Sequence, residues 1–214
     1  MRYTINTITP PVGYPVERED MMRFLKMDTS NPAFSSEGAF IEDLIAAATS
    51  MLESYTGRTF MTQTLEMVMV PDIEPISTLH GLTYRYESLP RLFKIRRPPC
   101  QSVTGVYVID QTGASHTQST SYYTTNLYAD PAEIALNYEG NWEDYSWGEY
   151  YQEYFKVRYV AGYGDTIDTI PPQIRQAIRL TVAQWYASRE ALDYTIPTQA
   201  VDLLQNLKIE SWDL

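Results

Sequence analysis

Pro171-Pro172-Gln173-Ile174-Arg175-Gln176-Ala177-Ile178-Arg179-Leu180-Thr181-Val182-Ala183-Gln184-Trp185-Tyr186 is the stretch on which the fold turns. Ile174, Ala177, Ile178, Thr181, Val182, Trp185 and Tyr186 recur at three- and four-residue steps, so one stripe of a helix is apolar. The proline pair pre-sets the helix start, where a missing N–H costs nothing. Just upstream, Phe155 to Ala161 alternates as a strand does, and Ala161-Gly162-Tyr163-Gly164-Asp165 lies between the two patterns. Two glycines without a helix directly behind them make a turn, not a phosphate-cradling loop.

Working outward, the first ordered element is expected after Pro15, as a short helix ending near Met27 with acids in its first turn and Met21, Met22, Phe24 and Leu25 on its apolar side. Ser36 can cap a longer helix from Glu37, in which Ile41, Leu44, Ile45, Ala48, Met51, Leu52 and Tyr55 share a face and Gly57 supplies a left-handed stop. From Thr59 the period changes: Thr62, Thr64, Glu66, Val68 and Val70 alternate with Gln63, Leu65, Met67 and Met69, as a sheet with one wetter face requires. Residues 71 to 90 carry prolines without periodicity and read mostly as loop. Leu92 to Ile95, Val103 to Asp110 with a hairpin return through Tyr122 and Tyr123, and Glu133 to Asn137 are further strands. Pro197 opens a last short helix. The order implies an α+β fold: one domain over 1–214, a helical bundle from residues 14–57 and 171–208, a β-rich insert at 59–165 and a tail at 197–214.

Composition limits the function. A chain of 214 residues with 44% hydrophobic and 20% charged residues is a folded globular protein. The apolar run Leu44 to Ala48 is too short to cross a bilayer, and no membrane partner is expected. The amino terminus lacks an apolar signal core, and one cysteine, Cys100, cannot close an internal disulfide, so synthesis in a cytoplasm is expected. The formal charge of -11 opposes a broad phosphate-gripping surface. Charge is unevenly placed: Arg85, Arg91, Lys94, Arg96 and Arg97 are basic, whereas acids dominate from Asp130 to Asp168.

Spacings that carry chemistry are missing. His80 and His116 are far apart and Cys100 has no spaced partner, so no metal and no cofactor are expected. Neither histidine lies in a motif of nucleophilic catalysis, although such sites assemble in space. The segment from Tyr138 to Phe155 interleaves acids with large aromatics, and three readings stand side by side. It suits a carbohydrate-binding or glycan-processing module, where rings stack on sugars and carboxylates cleave. It equally suits an interface loop anchored by Trp142, Tyr145, Trp147 and Tyr150, or a hairpin whose rings cover the sheet. The run Lys94-Ile95-Arg96-Arg97 either touches DNA phosphate or meets acids of a neighbouring subunit.

Four stretches in order resemble one family. They are Leu44-Ile45-Ala46-Ala47-Ala48 with Glu53-Ser54-Tyr55-Thr56-Gly57-Arg58-Thr59-Phe60; Ile95-Arg96-Arg97-Pro98-Pro99-Cys100-Gln101-Ser102-Val103; Val157-Arg158-Tyr159-Val160-Ala161-Gly162-Tyr163-Gly164-Asp165; and Ile170 to Ile178 with Trp185-Tyr186 and Arg189-Glu190. The series resembles the head-to-tail connector proteins of tailed bacteriophages, also called adaptors or head-completion proteins, over most of residues 14 to 195. The loop 71–90 and the segment 138–154 are longer than that family's pattern.

The resemblance implies a structural virion protein of the head–tail neck, not an enzyme. It implies a ring of usually twelve copies beneath the portal, offering a surface to a stopper or tail protein and lining a channel through which DNA passes without sequence-specific binding. Arg96, Arg97, Arg175 and Arg179 are then candidates for inter-subunit contacts. The apolar tail residues Leu203, Leu204, Leu207, Ile209, Trp212 and Leu214 are candidates for portal contact, as spaced anchors in a groove. Trp142, Tyr145, Trp147 and Tyr150 would form a tail-side or interface loop. A plain oligomeric scaffold unrelated to phages is the remaining alternative.

Overall fold

A computed structural model describes residues 2–27, 35–70, 73–78, 81–86, 91–109, 112–137, 154–188 and 194–209. The chain divides into two compact units. One takes residues 1–10 and 63–161; the other takes 11–62 and 162–213.

The first unit is antiparallel β. Its large sheet has strands β1 (Arg2–Thr9), β2 (Gln63–Val70), β6 (Cys100–Ile109), β7 (Ser115–Thr117) and β10 (Tyr154–Ala161), in the order β1-β2-β10-β6-β7. A three-stranded sheet has β5 (Leu92–Lys94), β9 (Glu133–Leu136) and β8 (Tyr123–Asn126), in the order β5-β9-β8. The hairpin β3 (Ile73–Thr78) and β4 (Gly81–Tyr86) is the third sheet. The strand period of two sends Leu65, Met67 and Met69 of β2, Val106 and Val108 of β6, and Phe155, Val157 and Tyr159 of β10 to one face. Phe93 and Ile134 of the smaller sheet join the same core, and Phe93 meets Phe155 edge-on at 5.3 Å.

On the opposite face, register sets Glu66 beside Arg158, and Arg158 beside Gly105. Glu66 is 8% exposed, with Arg158 at 2.9 Å and Lys156 at 3.8 Å. Gly105 leaves the space that the Tyr107 ring fills: a Cβ there would lie 2.3 Å from the Tyr107 hydroxyl. Glu66→Gln is expected to lower stability by about 1–2 kcal/mol, because two cations lose their counter-charge; the half-exposure of Arg158 keeps the cost below that of a sealed pair. Urea unfolding measures this, and an unchanged midpoint would show the triad to be energetically idle.

The second unit is helical. It comprises α1 (Arg18–Phe24), α2 (Ser35–Thr56), α3 (Pro172–Ala187) and α4 (Thr198–Leu204). Ile41, Leu44, Ile45, Ala48 and Leu52 of α2 face Ile174, Ala177, Ile178, Val182 and Trp185 of α3, with Met21 and Met22 of α1 and Ala200 and Leu204 of α4 completing one core. These are the stripes that three- and four-residue spacing predicts. Gly57 ends α2 at φ 71, its N–H donating to the Glu53 carbonyl at 2.9 Å. Trp185 turns its ring edge to Tyr194 at 5.4 Å, and its indole N–H donates to the Thr195 carbonyl at 2.8 Å.

The α+β class holds, but the helical-bundle framing does not. The described residues form four helices and ten strands, and α1 and α4 have only seven residues each. Two turns are too short to line a bundle wall, so they cap the α2–α3 pair instead. Nor is the sheet purely an insert between helices. Residues 2–9, expected to precede the first ordered element, form the edge strand β1, paired to β2 from Arg2 opposite Val70 to Thr9 opposite Thr64. Likewise β3 and β4 lie within the stretch read mostly as loop.

Candidate functional site

The basic run leaves β5 into a turn. Tyr159 donates its hydroxyl to the Arg96 carbonyl at 2.6 Å, which holds that turn against β10. Burial pushes the Tyr159 phenol well above its usual range, and burial also pushes the Cys100 thiol up to about 11. Both are structural groups rather than reactive ones. Arg96 lays its guanidinium over the Tyr3 ring at 3.6 Å and donates to the Tyr3 hydroxyl at 2.9 Å, so it is tied to β1. Desolvation holds the Arg96 guanidinium below its usual range. Arg97 takes a left-handed backbone, φ 59, which a non-glycine residue adopts only when its surroundings require it.

The helical unit holds the second pair. Arg179 grips Asp20 of α1 through two nitrogens, Nε at 3.1 Å and one terminal nitrogen closer still. Arg18 binds Glu19 at 2.6 Å and Glu42 at 3.2 Å. One turn before Arg179 on α3, Arg175 has a buried Nε without a hydrogen-bond partner. Arg175 and Arg179 line a cleft of about 980 Å³ whose walls include Glu17, Asp20, Asp165 and Asp168. Sequence reasoning named both arginines but missed these acids, because Asp20 and Arg179 are 159 positions apart and nothing local links them.

The tail residues divide. Leu204 is fully buried in the helical core and Leu207 packs against it, whereas Leu203 is 36% exposed. The Ile209 N–H donates to the Thr56 carbonyl at 3.0 Å, and Arg58 Nε donates to the Leu207 carbonyl at 2.5 Å, pinning the chain after α4 to the end of α2. Trp212 and Leu214 lie outside the described residues, as do Trp142, Tyr145, Trp147 and Tyr150 of the aromatic segment. Among the described residues no three or more histidines, cysteines or acids gather as metal ligands, and no helix is long and apolar enough to cross a membrane.

The same architecture occurs in solved particles. A chain in the virion of a native gene transfer agent particle superposes with a TM-score of 0.73 at 14% identity, covering 97% of this chain and 96% of that one. The fold is shared. A chain from the neck of an empty gene transfer agent particle computed with C6 symmetry gives 0.71 at 14% identity, covering 98% and 100%. A chain from the neck of the native particle computed with C12 symmetry gives 0.62 at 14% identity, covering 100% of both chains. No protein-family model matches the sequence, and no curated protein sequence matches it.

Proposed function

We propose that this chain is a structural component of the neck of a tailed, phage-like particle. In this reading it is one copy of a closed ring, of twelve copies, seated beneath the portal. The ring joins head to tail, offers its far side to a stopper or tail protein, and passes DNA without reading its sequence. The observation that carries the reading is the end-to-end likeness to chains from gene transfer agent necks computed with C6 and C12 symmetry. The charge supports it: at -11 per copy, a ring repels the DNA polyanion, so a bore lined by such copies lets the duplex slide. The role is mechanical and needs no catalytic group. Arg96 and Arg97 on the β unit remain candidates for contact with the next copy.

Cryo-electron microscopy of the chain mixed with portal rings tests this directly. A ring of density at one end of the portal is expected; a chain that stays monomeric both alone and with portal overturns the reading.

For portal docking the available anchors narrow to Leu203, Ile209, Trp212 and Leu214, because Leu204 and Leu207 serve their own core. Deleting residues 210–214 removes two anchors without cutting into α4. The shortened chain is expected to keep its circular dichroism and melting temperature while losing co-sedimentation with portal rings. Undiminished co-sedimentation would show that the tail is not the docking element.

A further inference from the structure

We propose that the cleft between α1, the start of α3 and the 165–168 turn is a socket for a second copy of this chain, and that Arg175 anchors a carboxylate brought by that copy. The inference rests on the ring reading above and names the chemistry of its inter-copy contact.

The argument begins with two arginines one turn apart on the same helix. Arg179 is satisfied inside the chain by Asp20. Arg175 is not: its Nε is buried without a partner, and among the described residues no hydrogen bond or ion pair engages its guanidinium. A desolvated donor left unmade costs free energy, and more so on a charged group. Position adds to the cost, because Arg175 is the fourth residue of α3, where the helix dipole favours anions and disfavours cations. A planar fork in that setting suits a carboxylate held by its terminal nitrogens, which supplies the missing counter-charge and offsets the dipole penalty, while Nε stays sealed inside the unit.

The walls of the cleft decide what kind of partner brings that carboxylate. Arg18, Arg23 and Arg179 are paired with Glu19, Asp20 and Glu42 within the unit. Glu17, Asp165 and Asp168 are exposed on the same walls. A bare polyanion such as DNA would reach Arg175 only past these acids and is repelled. The complementary surface carries one carboxylate for Arg175 and cations for Asp165 and Asp168, which is a mixed-charge protein face. A chain with 27 acids and 16 lysines and arginines offers such a face, and a head-to-tail ring presents it to each neighbour in turn.

The test compares wild type with Arg175→Glu, Arg175→Gln and Arg175→Lys, each mixed with portal rings and weighed by mass photometry, with circular dichroism and thermal melts alongside. Arg175→Glu and Arg175→Gln are expected to stay folded and to lose ring assembly at least about 30-fold, the effect of removing one partner of a desolvated charge pair. Arg175→Lys should retain part of it. Folded Glu and Gln variants that assemble like wild type overturn the proposal. So do variants that all fail to fold, since Arg175 would then serve the monomer. Binding of duplex DNA by monomeric wild type but not by Arg175→Gln also overturns it, in favour of a phosphate site. Failure of wild type itself to form rings sinks the neck reading, and is thereby distinguishable from failure of the socket.

Discussion

Gly162→Ala will lower the unfolding free energy by roughly 3–4 kcal/mol. Two effects add. Gly162 sits at φ 122, a backbone conformation that an L side chain rarely adopts. A Cβ built there would lie 2.5 Å from the Met61 carbonyl carbon and oxygen and 2.6 Å from the Thr62 nitrogen. Those neighbours are backbone atoms, and they are fixed on both sides: the Tyr163 N–H donates to the Phe60 carbonyl at 2.9 Å and the Thr62 N–H to the Gly164 carbonyl at 3.1 Å. They have nowhere to yield, so either the hydrogen bonds break or the turn opens. Urea unfolding followed by circular dichroism checks this through the midpoint. A shift worth less than about 1 kcal/mol would mean that the two segments separate easily, contrary to the close approach seen here.

Trp185→Ala should cost about 3–5 kcal/mol, the range for deleting a large aromatic ring from a core. Trp185 is 2% exposed and is among the largest fully packed side chains of the molecule. Truncation leaves a cavity among the residues of α2, α3 and α4 and strips the Thr195 carbonyl of its indole donor. Trp185→Phe separates the two contributions: it keeps most of the volume and loses the hydrogen bond, so a loss of about 1–2 kcal/mol is expected. Thermal melts of the pair rank them, and equal destabilisation by both substitutions would show that the hydrogen bond, not the ring volume, carries the cost.

These two positions also mark what was legible in advance. The periodicity from Ile174 to Tyr186 placed Trp185 on the buried stripe, and the glycine pair in Ala161-Gly162-Tyr163-Gly164 announced positive φ, found at 122 and 158. Gly57 as a left-handed stop, the alternation through β2, and Pro197 ahead of α4 were equally readable. Each is a local signal: a spacing, a dihedral freedom, a missing N–H. The strand β1 was not readable, because an edge strand exposed on both faces writes almost no alternation; only Ile5 along Arg2–Thr9 is even partly buried. The helical bundle was over-read for a related reason. Apolar periodicity reports that a helix has a buried face, not how many turns it shares with a neighbour, and two seven-residue helices left a bundle two walls short.

The charged groups divide along the same line. Composition alone determined an acidic, globular chain with one cysteine and none of the spacings of a common metal or phosphate site, and local pattern alone determined most of its helices and strands. Only the tertiary structure decided which arginine is spent and which remains. Arg175 and Arg179 stand four residues apart on one helix face and look alike in sequence, yet Asp20 satisfies one and nothing described satisfies the other. The physical reason is range. Helical and strand periods are set by neighbours within a few positions, whereas a charge is paired or stranded according to what a distant segment of the chain brings within about 4 Å.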